Sequence, residues 1–444
     1  MFPRLNEIFR ETIDLITTTV RGLRQIQLDW ARYLAVAAII RRFVEHFMTV
    51  HVVPGVSVAI AYKGRLVFAK GYGYADTSTN QPVTTNHLFR IASLSKPITA
   101  AAIFTLLEKR RPPLEVGQGW VPVLSLDEKV FGQGGILGTT YGTPQSGSGV
   151  DQITVQHLLE HTSGWNQNGQ AKKQPPPPNP PIPPNPNDPM FDPSHINDTQ
   201  DQLISFMVQQ PIVDSAPGTH YRYLNVGYLV LGRVIEARSG MPYADYVRQA
   251  VLAPCGIQDM HIAGNTLADR RPNEVHYYPG PSSPYNPYAL LVDRMDAHGG
   301  WIASPTDLLR FLVRVDRFAP PPDILSSPST LTMVTPTTAQ KLLDALNTPP
   351  YDANYAKGWG VHSTVAAGQD NYWHEGNIAG TEAFFVRDKE QYCVAILANS
   401  RDDSTQANLD QMTFDIDRLW WNIKEAVEGK PPRPDLVWPT GSPL

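Results

Sequence analysis

The sequence predicts an α+β fold in which one antiparallel sheet, flanked by terminal helices, is joined to a mainly helical lobe. Strand patterns lie near both ends of the 444-residue chain, and helix patterns dominate its middle. Residues 56–62 and 65–71 flank Lys63-Gly64, which has the length and the glycine of a two-residue hairpin turn. Residues 382–387 and 392–398 flank a second, polar turn. We therefore expect one sheet built from both ends of the chain, with a cleft between it and the helical lobe.

Helix patterns precede and follow these strands. Apolar residues at helical spacing, from Leu5 to Ile16 and from Leu34 to Phe47, predict two helices, of which the second should pack on the core domain. A further helix is expected from about Asp402 to Val427, with Asp402 or Asp403 as its cap. The predicted organisation is an N-terminal helical extension over 1–48, a core domain over 49–428 and a tail over 429–444. Within the core domain we expect an α/β part at about 49–92 and 300–428, and a helical lobe at about 93–299.

A proline-rich insert interrupts the helical lobe at residues 175–193. It holds eleven prolines in nineteen residues, a composition that forms neither helix nor inner strand and favours an extended polyproline conformation. We interpret it as a surface loop or spacer. A lid over the cleft and a docking site for a proline-binding module are alternatives.

Composition limits the class of protein. Hydrophobic residues make up 42% and charged residues 18% of the chain, which is typical of a soluble globular protein. The 37 basic and 42 acidic residues form no long basic run, so nucleic acid is not an expected partner. Cys255 and Cys393 are too few for a disulfide framework or a thiolate metal site, and we expect neither metal nor cofactor.

The N-terminal region also bears on localisation. The apolar run Tyr33 to Ile40 is too short for a membrane span and is unlike a signal peptide. Several acidic residues among the first 48 argue against a transit peptide. We therefore expect a cytoplasmic protein without a membrane span, which could associate with copies of itself through the N-terminal helices.

The sequence Ser93-Leu94-Ser95-Lys96 is the first candidate for chemistry. Residues three apart share a face of a helical turn, so the Lys96 amine should lie beside the Ser93 hydroxyl. Pro97 is tolerated only near a helix start, which places Ser93 at or just before the start of the following helix. Free N–H groups and the positive end of the helix dipole there would favour a negative charge developing on a substrate.

Ser-x-x-Lys alone is common by chance, but the surrounding residues are more specific. The stretch from Leu88 to Ala100 resembles the nucleophile segment of the serine β-lactamase and penicillin-binding-protein superfamily, which includes class C β-lactamases, D,D-peptidases and family VIII esterases. Tyr223-Leu-Asn225 resembles that superfamily's Tyr-x-Asn motif, and His374-Glu-Gly376 resembles its Lys-Thr-Gly or His-x-Gly motif. Two further blocks, 158–164 and 299–308, resemble structural segments of the same superfamily. The resemblance covers about residues 36–428 and implies a β-lactamase/transpeptidase-like fold.

The resemblance also implies a role for each matched residue. Ser93 attacks the carbonyl carbon, while Lys96 and Tyr223 share the duty of general base, with the choice between them left open. Lysine and tyrosine have ordinary pKa values of about 10.4 and 10, so charge or burial must lower them for either to act near neutrality. The remaining roles are Asn225, His374 and Gly376 in substrate binding, and the N–H groups of Ser93 and Asn377 in the oxyanion hole.

The third motif departs from that of efficient β-lactamases. His374 replaces the usual lysine and Glu375 the usual threonine, which favours an esterase or a peptidase over a dedicated β-lactamase. The sequence therefore predicts a serine hydrolase of small-molecule esters, amides or peptides, most simply a carboxylesterase. A D,D-carboxypeptidase, a D-amino-acid peptidase and a weak β-lactamase are the alternatives within the superfamily.

Two alternatives come from other classes. His157-Leu-Leu-Glu160-His161 fits a pattern of some zinc peptidases, in which two histidines on one helical face bind the metal and the glutamate is the base. The same histidines could instead satisfy a helix end. A non-catalytic penicillin-binding-like scaffold is the second alternative, although it would not need Ser93, Lys96, Tyr223 and Asn225 together.

Overall fold

A computed structural model describes residues 33–111, 121–165, 189–212, 215–281, 283–318, 320–336, 353–362 and 371–428. The chain divides into two compact units, residues 1–49 with 417–444, and residues 50–416. In the smaller unit, the described residues are helical at 33–49 and 417–427. The larger unit contains the sheet, the helical lobe and every candidate site residue.

In order along the chain the strands are β1 Gly55–Tyr62, β2 Arg65–Asp76, β3 Gln81–Pro82, β4 Phe89–Arg90, β5 Arg110–Arg111, β6 Val121–Pro122, β7 His261–Ile262, β8 Tyr278–Pro279, β9 Trp301–Ala303, β10 Ala353–Tyr355, β11 Gly360–His362, β12 Tyr372–Ile378, β13 Thr381–Arg387, β14 Tyr392–Ala398 and β15 Ser400–Arg401. The long strands form two clusters along the chain, β1 and β2 near its start and β12 to β14 near its end.

The main sheet combines strands from the N-terminal and the C-terminal part of the core domain, as the sequence predicts. Among the described residues its order is β10-β11-β12-β13-β14-β1-β2-β3, and neighbouring strands run antiparallel. At its centre β1 pairs with β14, so that Val56 lies opposite Ala398. The central strands β1, β13 and β14 are buried almost throughout, which is typical of strands covered on both faces.

The predicted hairpin turn between β1 and β2 is confirmed. Lys63 and Gly64 both adopt left-handed backbone conformations, with φ of 51° and 72°, as a two-residue type I′ turn requires. The turn's twist matches that of the flanking strands, so it fixes their register. Strand β2 continues to Asp76, beyond the predicted end at residue 71.

Eight of the described helices lie between the two strand clusters, with one more before the first cluster and one after the second. In chain order the helices are α1 at 33–50, α2 Ser95–Glu108, α3 Val155–Leu159, α4 Gln200–Val208, α5 Asn225–Ser239, α6 Tyr243–Val247, α7 Asp296–Gly299, α8 Pro305–Leu312, α9 Ser327–Val334 and α10 Gln406–Val427.

Helix α2 lies at the centre of the helical lobe. It packs against α5 and α7, and its residues Ala100, Ala101 and Ala102 are fully buried. A helix that is apolar on almost every side is stable only when it is surrounded by protein. The hydroxyl of Thr99 fixes α2 to α7 by donating a hydrogen bond of 2.6 Å to the carbonyl of Ala297. The start of α2 is therefore held rigidly, and Ser93 lies just before it.

The predicted start of the last helix is wrong by four residues. Helix α10 begins at Gln406, and its cap is Thr405, whose hydroxyl accepts the N–H of Asn408 at 3.1 Å. Asp402 instead accepts the N–H and hydroxyl of Ser404, at 3.1 and 2.6 Å. The Asp402 side chain thus stabilises a local turn, and Thr405 caps the N-terminus of α10.

Several sequence predictions fall outside the described residues. These are the first N-terminal helix at 5–16, the tail at 429–444 and residues 175–188 of the proline-rich insert. The described end of that insert forms two short 3-10 turns, Pro189–Phe191 and Pro193–His195.

Candidate active site

Ser93 lies in the single 3-10 turn Ala92–Leu94 that leads directly into α2, as its motif predicts. The preceding residue, Ala92, has a left-handed backbone with φ of 45°. A non-glycine residue held in this region stores backbone strain, and such strain is concentrated at functional sites. The turn presents the partly exposed Ser93 hydroxyl, while Ala92 and Leu94 on either side are buried.

Lys96 is fully buried beside Ser93. Its Nζ donates to Ser93 Oγ at 2.8 Å, to Asn225 Oδ1 at 2.7 Å and to the backbone carbonyl of His298 at 3.0 Å. These acceptors compensate for the loss of water around a buried amine. The three acceptors come from the turn before α2, the start of α5 and α7. Together they hold the amine beside the serine.

Tyr223 approaches Ser93 from the segment before α5. Its hydroxyl donates to Ser93 Oγ at 2.8 Å, the same distance as the Lys96 contact. Lys96 Nζ lies 4.6 Å from the centre of the Tyr223 ring. Both groups therefore reach the serine oxygen equally well, and either can take the Ser93 proton once it is itself deprotonated.

Strand β12 forms the opposite side of the site and carries His374, Gly376 and Asn377. It packs against the turn that holds Ser93. At Gly376 a Cβ atom would lie 2.2 Å from the carbonyl oxygen of Ile91, so only glycine allows the strand to approach the turn this closely. The pairing of the Ser93 and Asn377 N–H groups in an oxyanion hole, which the motif resemblance implies, stays a prediction.

His374 is buried and neutral. Burial, with the Lys96 amine nearby as the second cause, lowers the pKa of His374 to about 3. Its Nδ1 lies 2.6 Å from the carbonyl oxygen of Glu375, which can only accept, so Nδ1 carries the proton. Nε2 then accepts from the Tyr355 hydroxyl at 3.0 Å. Since both ring nitrogens have protein partners, His374 is suited to holding Tyr355 in place, and its contact with substrate stays a prediction.

Two residues at the site were not among the predicted site residues, His161 and Tyr355. The ring of His161 lies 4.3 Å from that of Tyr223 and 4.8 Å from that of Tyr355, measured between ring centres. His161 was considered only as part of a structural block and as a zinc ligand of the zinc-peptidase alternative, and no motif included Tyr355. The polar residues in the Tyr355-Ala-Lys357-Gly-Trp-Gly stretch are the signal that could have marked this segment.

The zinc-peptidase alternative gains no support from the contacts of its three residues. His157 completes a capping box with Thr154 at the start of α3. Glu160 forms a buried ion pair of 2.7 Å with Lys357, and His161 Nδ1 accepts the N–H of Leu224 at 3.1 Å. Helix α3 ends at Leu159, so the two histidines do not share a helical face. Across the described ranges, no three His, Cys, Asp or Glu side chains are grouped to hold a metal ion.

At a helix start beside an antiparallel sheet, Ser93 thus receives hydrogen bonds from a buried lysine and a tyrosine, which is the arrangement that the resemblance to β-lactamase-like serine hydrolases implies. Residues 40–413 match the family model described as Beta-lactamase. The chain belongs to this family, and the resemblance noted in its motifs is confirmed.

The individual relatives include a penicillin-binding protein and an esterase. Penicillin-binding protein 4* of Bacillus subtilis (strain 168) is 27% identical over 57% of this chain and 51% of that protein. Esterase EstB of Burkholderia gladioli is 25% identical over 52% of this chain and 52% of that protein. The chain thus spans about half the length of these two curated relatives.

Solved structures confirm the predicted fold class. An octameric penicillin-binding protein homologue from Pyrococcus abyssi has a TM-score of 0.63 at 23% identity, over 89% of this chain and 78% of that one. D-amino acid amidase from Ochrobactrum anthropi SV3, complexed with L-phenylalanine amide, has a TM-score of 0.61 at 21% identity, over 88% and 99%. At these identities the likeness shows the fold alone. Separately, none of the described helices combines the length and apolar character needed to cross a membrane.

Proposed function

We propose that the protein hydrolyses carboxylic esters through an acyl-enzyme on Ser93. The observation that carries this proposal is the convergence of Lys96 Nζ and Tyr223 OH on Ser93 Oγ, each at 2.8 Å. A nucleophile within hydrogen-bond reach of its base, with the base oriented by a third group, is the arrangement that nucleophilic catalysis needs. Asn225 supplies that third contact by accepting from Lys96.

The proposed reaction has two half-steps. Ser93 Oγ attacks the ester carbonyl carbon as its proton passes to Lys96 or Tyr223, and the N–H groups of Ser93 and Asn377 stabilise the oxyanion. Collapse of the tetrahedral intermediate breaks the bond to the leaving alcohol, which takes up that proton. Water then attacks the acyl-enzyme and gives a proton to the same base. The base returns this proton to Ser93 Oγ as the bond to the acyl group breaks, which releases the acid and free Ser93.

The charge around β12 supports an ester over a β-lactam. His374 is neutral, because burial lowers its pKa to about 3, and its neighbour Glu375 is acidic. At this position neither residue offers a cation to the carboxylate of a penicillin. Esterase EstB, one of the relatives, shows that an esterase occurs among similar chains.

A D-amino-acid amide or peptide is the second candidate. The observation that favours it is His374, because a histidine at this place in the third motif resembles that of certain D,D-peptidases and D-amino-acid peptidases. Solved structures of similar fold include D-amino acid amidase. Self-association through the N-terminal helices stays a prediction, and the octamer of the Pyrococcus abyssi homologue supports testing it.

Replacing the nucleophile tests the proposal. Ser93→Ala should abolish hydrolysis of p-nitrophenyl acetate and butyrate, and also labelling by a fluorophosphonate, because it removes the hydroxyl that both Lys96 and Tyr223 contact. Ser95→Ala is the matched control, since it removes a buried hydroxyl from the same motif without touching Lys96. Full ester hydrolysis by Ser93→Ala would overturn the proposal. Assays with D-amino-acid amides and nitrocefin then rank the alternative substrates, and a wild-type protein that is neither labelled nor active on any of them would be the non-catalytic scaffold.

A further inference from the structure

The proposed mechanism assigns no role to His161, although this residue contacts the tyrosine that touches Ser93. His161 follows α3 directly and is almost completely buried, with 2% of its surface exposed. Its ring faces Tyr223 with the two planes inclined by 37°. Rings of Tyr228 and Tyr355 lie 5.1 and 4.8 Å away, so the imidazole is enclosed by aromatic side chains.

His161 also holds the backbone on both sides of Tyr223. Its carbonyl oxygen accepts the N–H of Arg222 at 2.7 Å, and its Nδ1 accepts the N–H of Leu224 at 3.1 Å. One residue therefore fixes the positions immediately before and immediately after the tyrosine. A peptide held at both neighbours leaves the Tyr223 side chain little freedom to move away from Ser93.

The backbone of His161 is adapted to this double contact. Its φ of 55° lies in the left-handed region, which non-glycine residues adopt rarely and at functional sites. This conformation allows the carbonyl and the side chain of His161 to meet the same segment. The strain is maintained because the surrounding packing over-determines it.

The side chain can play this part only as a neutral imidazole. Since Nδ1 accepts the Leu224 N–H, the single ring proton is on Nε2. Burial lowers the pKa of His161 well below its ordinary value, and the Lys96 amine and His374 act in the same direction. Of the other groups nearby, Glu160 is paired with Lys357, and Tyr221, Tyr223, Tyr228 and Tyr355 are the surrounding phenols.

We infer that His161 is a positioning residue that fixes the Tyr223 hydroxyl on Ser93 by hydrogen-bonding the backbone on both sides of that tyrosine. This inference rests on the proposed function, because Tyr223 matters only if Ser93 is acylated. His161 touches neither substrate nor the reacting atoms, and it acts through Tyr223.

The test compares His161→Phe with the wild-type protein in p-nitrophenyl butyrate hydrolysis. Phenylalanine keeps a ring but cannot accept the Leu224 N–H, so the tyrosine should shift. Misplacement of a catalytic group by about 1 Å lowers kcat by about 100-fold, and we expect a loss of this order with a much smaller change in KM. The acid limb of the kcat/KM profile should move upward by about 1 pH unit. The reason is that a displaced Tyr223 no longer lies beside the Lys96 amine, so the base that the two groups provide is less easily deprotonated.

Two further variants separate positioning from simple destabilisation. His161→Asn should retain kcat within about fivefold and the wild-type pH profile, because its Oδ1 occupies the place of Nδ1 and asparagine tolerates a left-handed φ. His157→Ala removes the capping box from the same segment and controls for local loss of stability. It should lower the melting temperature without moving the pH profile.

A double-mutant cycle with Tyr223→Phe decides the inference. If His161 acts through Tyr223, His161→Phe has no further effect on kcat once Tyr223 is phenylalanine. Additive losses, or an unchanged pH profile in His161→Phe, would overturn the inference. Should His161→Phe fail to fold, His161→Gly replaces it, since glycine accepts the left-handed φ and also removes Nδ1. Hydrolysis that survives Ser93→Ala would instead count against the proposed function, so the two failures are distinct.

Discussion

Lys96 is the residue on which the electrostatics of the site depend. Moving an amine out of water is unfavourable unless polar groups replace the water. Here Ser93, Asn225 and the His298 carbonyl replace it, and the face of the Tyr223 ring adds a favourable contact at 4.6 Å. Burial is the main cause that lowers the pKa of His374, and the positive end of the Lys96 side chain acts in the same direction. A single buried lysine thus contributes to the electrostatics of each histidine near the serine.

Replacing Lys96 with methionine should remove acylation while retaining the shape of the side chain. General acid–base groups contribute about 100-fold to 10,000-fold, and we expect kcat/KM for p-nitrophenyl butyrate to fall within that range. Leaving Asn225 Oδ1 and the His298 carbonyl without their donor should lower the free energy of unfolding by about 1 to 3 kcal/mol. Initial rates of p-nitrophenyl butyrate hydrolysis measure the fall in kcat/KM, and chemical denaturation measures the change in the free energy of unfolding. A Lys96→Met protein that acylates within threefold of the wild type would contradict this assignment.

At this scale the sequence predicts residues that lie close together in local motifs. Ser93 and Lys96 are three apart, so helical geometry alone places them side by side, and Tyr223 and Asn225 share one short motif. His161 and Tyr355 meet Tyr223 only because three distant segments fold together, which no local pattern expresses. The neutrality of His374 could not be predicted either, since it follows from burial beside Lys96.

Strand β12 shows how an element, rather than a side chain, determines the width of the site. It lies between β11 and β13 in the main sheet, and its position relative to the Ser93 turn is limited by the carbonyl of Ile91. At Gly376 the backbone approaches this carbonyl so closely that any Cβ would overlap it. The distance from the Ser93 N–H to the Asn377 N–H therefore depends on the absence of one methyl group.

Gly376→Ala should displace β12 from the turn and enlarge the oxyanion hole. The new Cβ would be 2.2 Å from the Ile91 oxygen, which is backbone and cannot rotate away. We expect kcat to fall by about 100-fold or more and the free energy of unfolding by about 1 to 3 kcal/mol.

The matched control for this glycine is Gly227→Ala on α5. A Cβ there meets only Leu158 atoms at 3.7 and 3.8 Å, and alanine favours a helix over glycine by about 0.5 to 1 kcal/mol. It should keep full activity and gain stability in thermal unfolding. Equal activity in the Gly376 and Gly227 variants would show that β12 does not set the oxyanion geometry.

The boundaries of the elements were predicted less well than their existence. The strands at 382–387 and 392–398 agree with β13 and β14 to within one residue, because alternation and turn residues mark both ends. The start of α10 was misplaced, because aspartate can cap a helix or close a turn, and the sequence does not distinguish the two uses.

For the whole molecule, buried ionisable groups link folding to pH. Asp316 is almost fully buried. Its backbone carbonyl accepts hydrogen bonds of 2.7 and 3.0 Å from the side chain of Arg387 on β13. Burial is the largest cause that raises the pKa of Asp316 from 3.8 to about 7. The native protein therefore holds a proton on Asp316 that the unfolded chain has lost, at pH values between about 4 and 7.

Asp316 should consequently make the protein less stable as the pH rises through this window. Each pH unit changes the free energy of unfolding by up to about 1.4 kcal/mol for one proton. Asp316→Asn removes this dependence, so the variant should gain stability relative to the wild type as the pH is raised from 5 to 8. Urea denaturation of both proteins at matched pH values measures the difference, from which the contributions of the neutral buried histidines cancel. A difference that stays constant over this range would show that Asp316 does not titrate there.

The pairing of β1 with β14 has a consequence for biosynthesis. Their contact joins residues separated by more than 300 positions, Val56 and Ala398 among them. During translation β1 and β2 emerge long before β14. Until β14 is synthesised, the edge of β1 that pairs with it lacks its backbone hydrogen-bond partner. Such non-local pairing slows folding, and an unpaired apolar edge invites association with other chains. The nascent protein therefore depends on the late arrival of a single strand, and its yield in cells should be sensitive to chaperones that shield β1 until then.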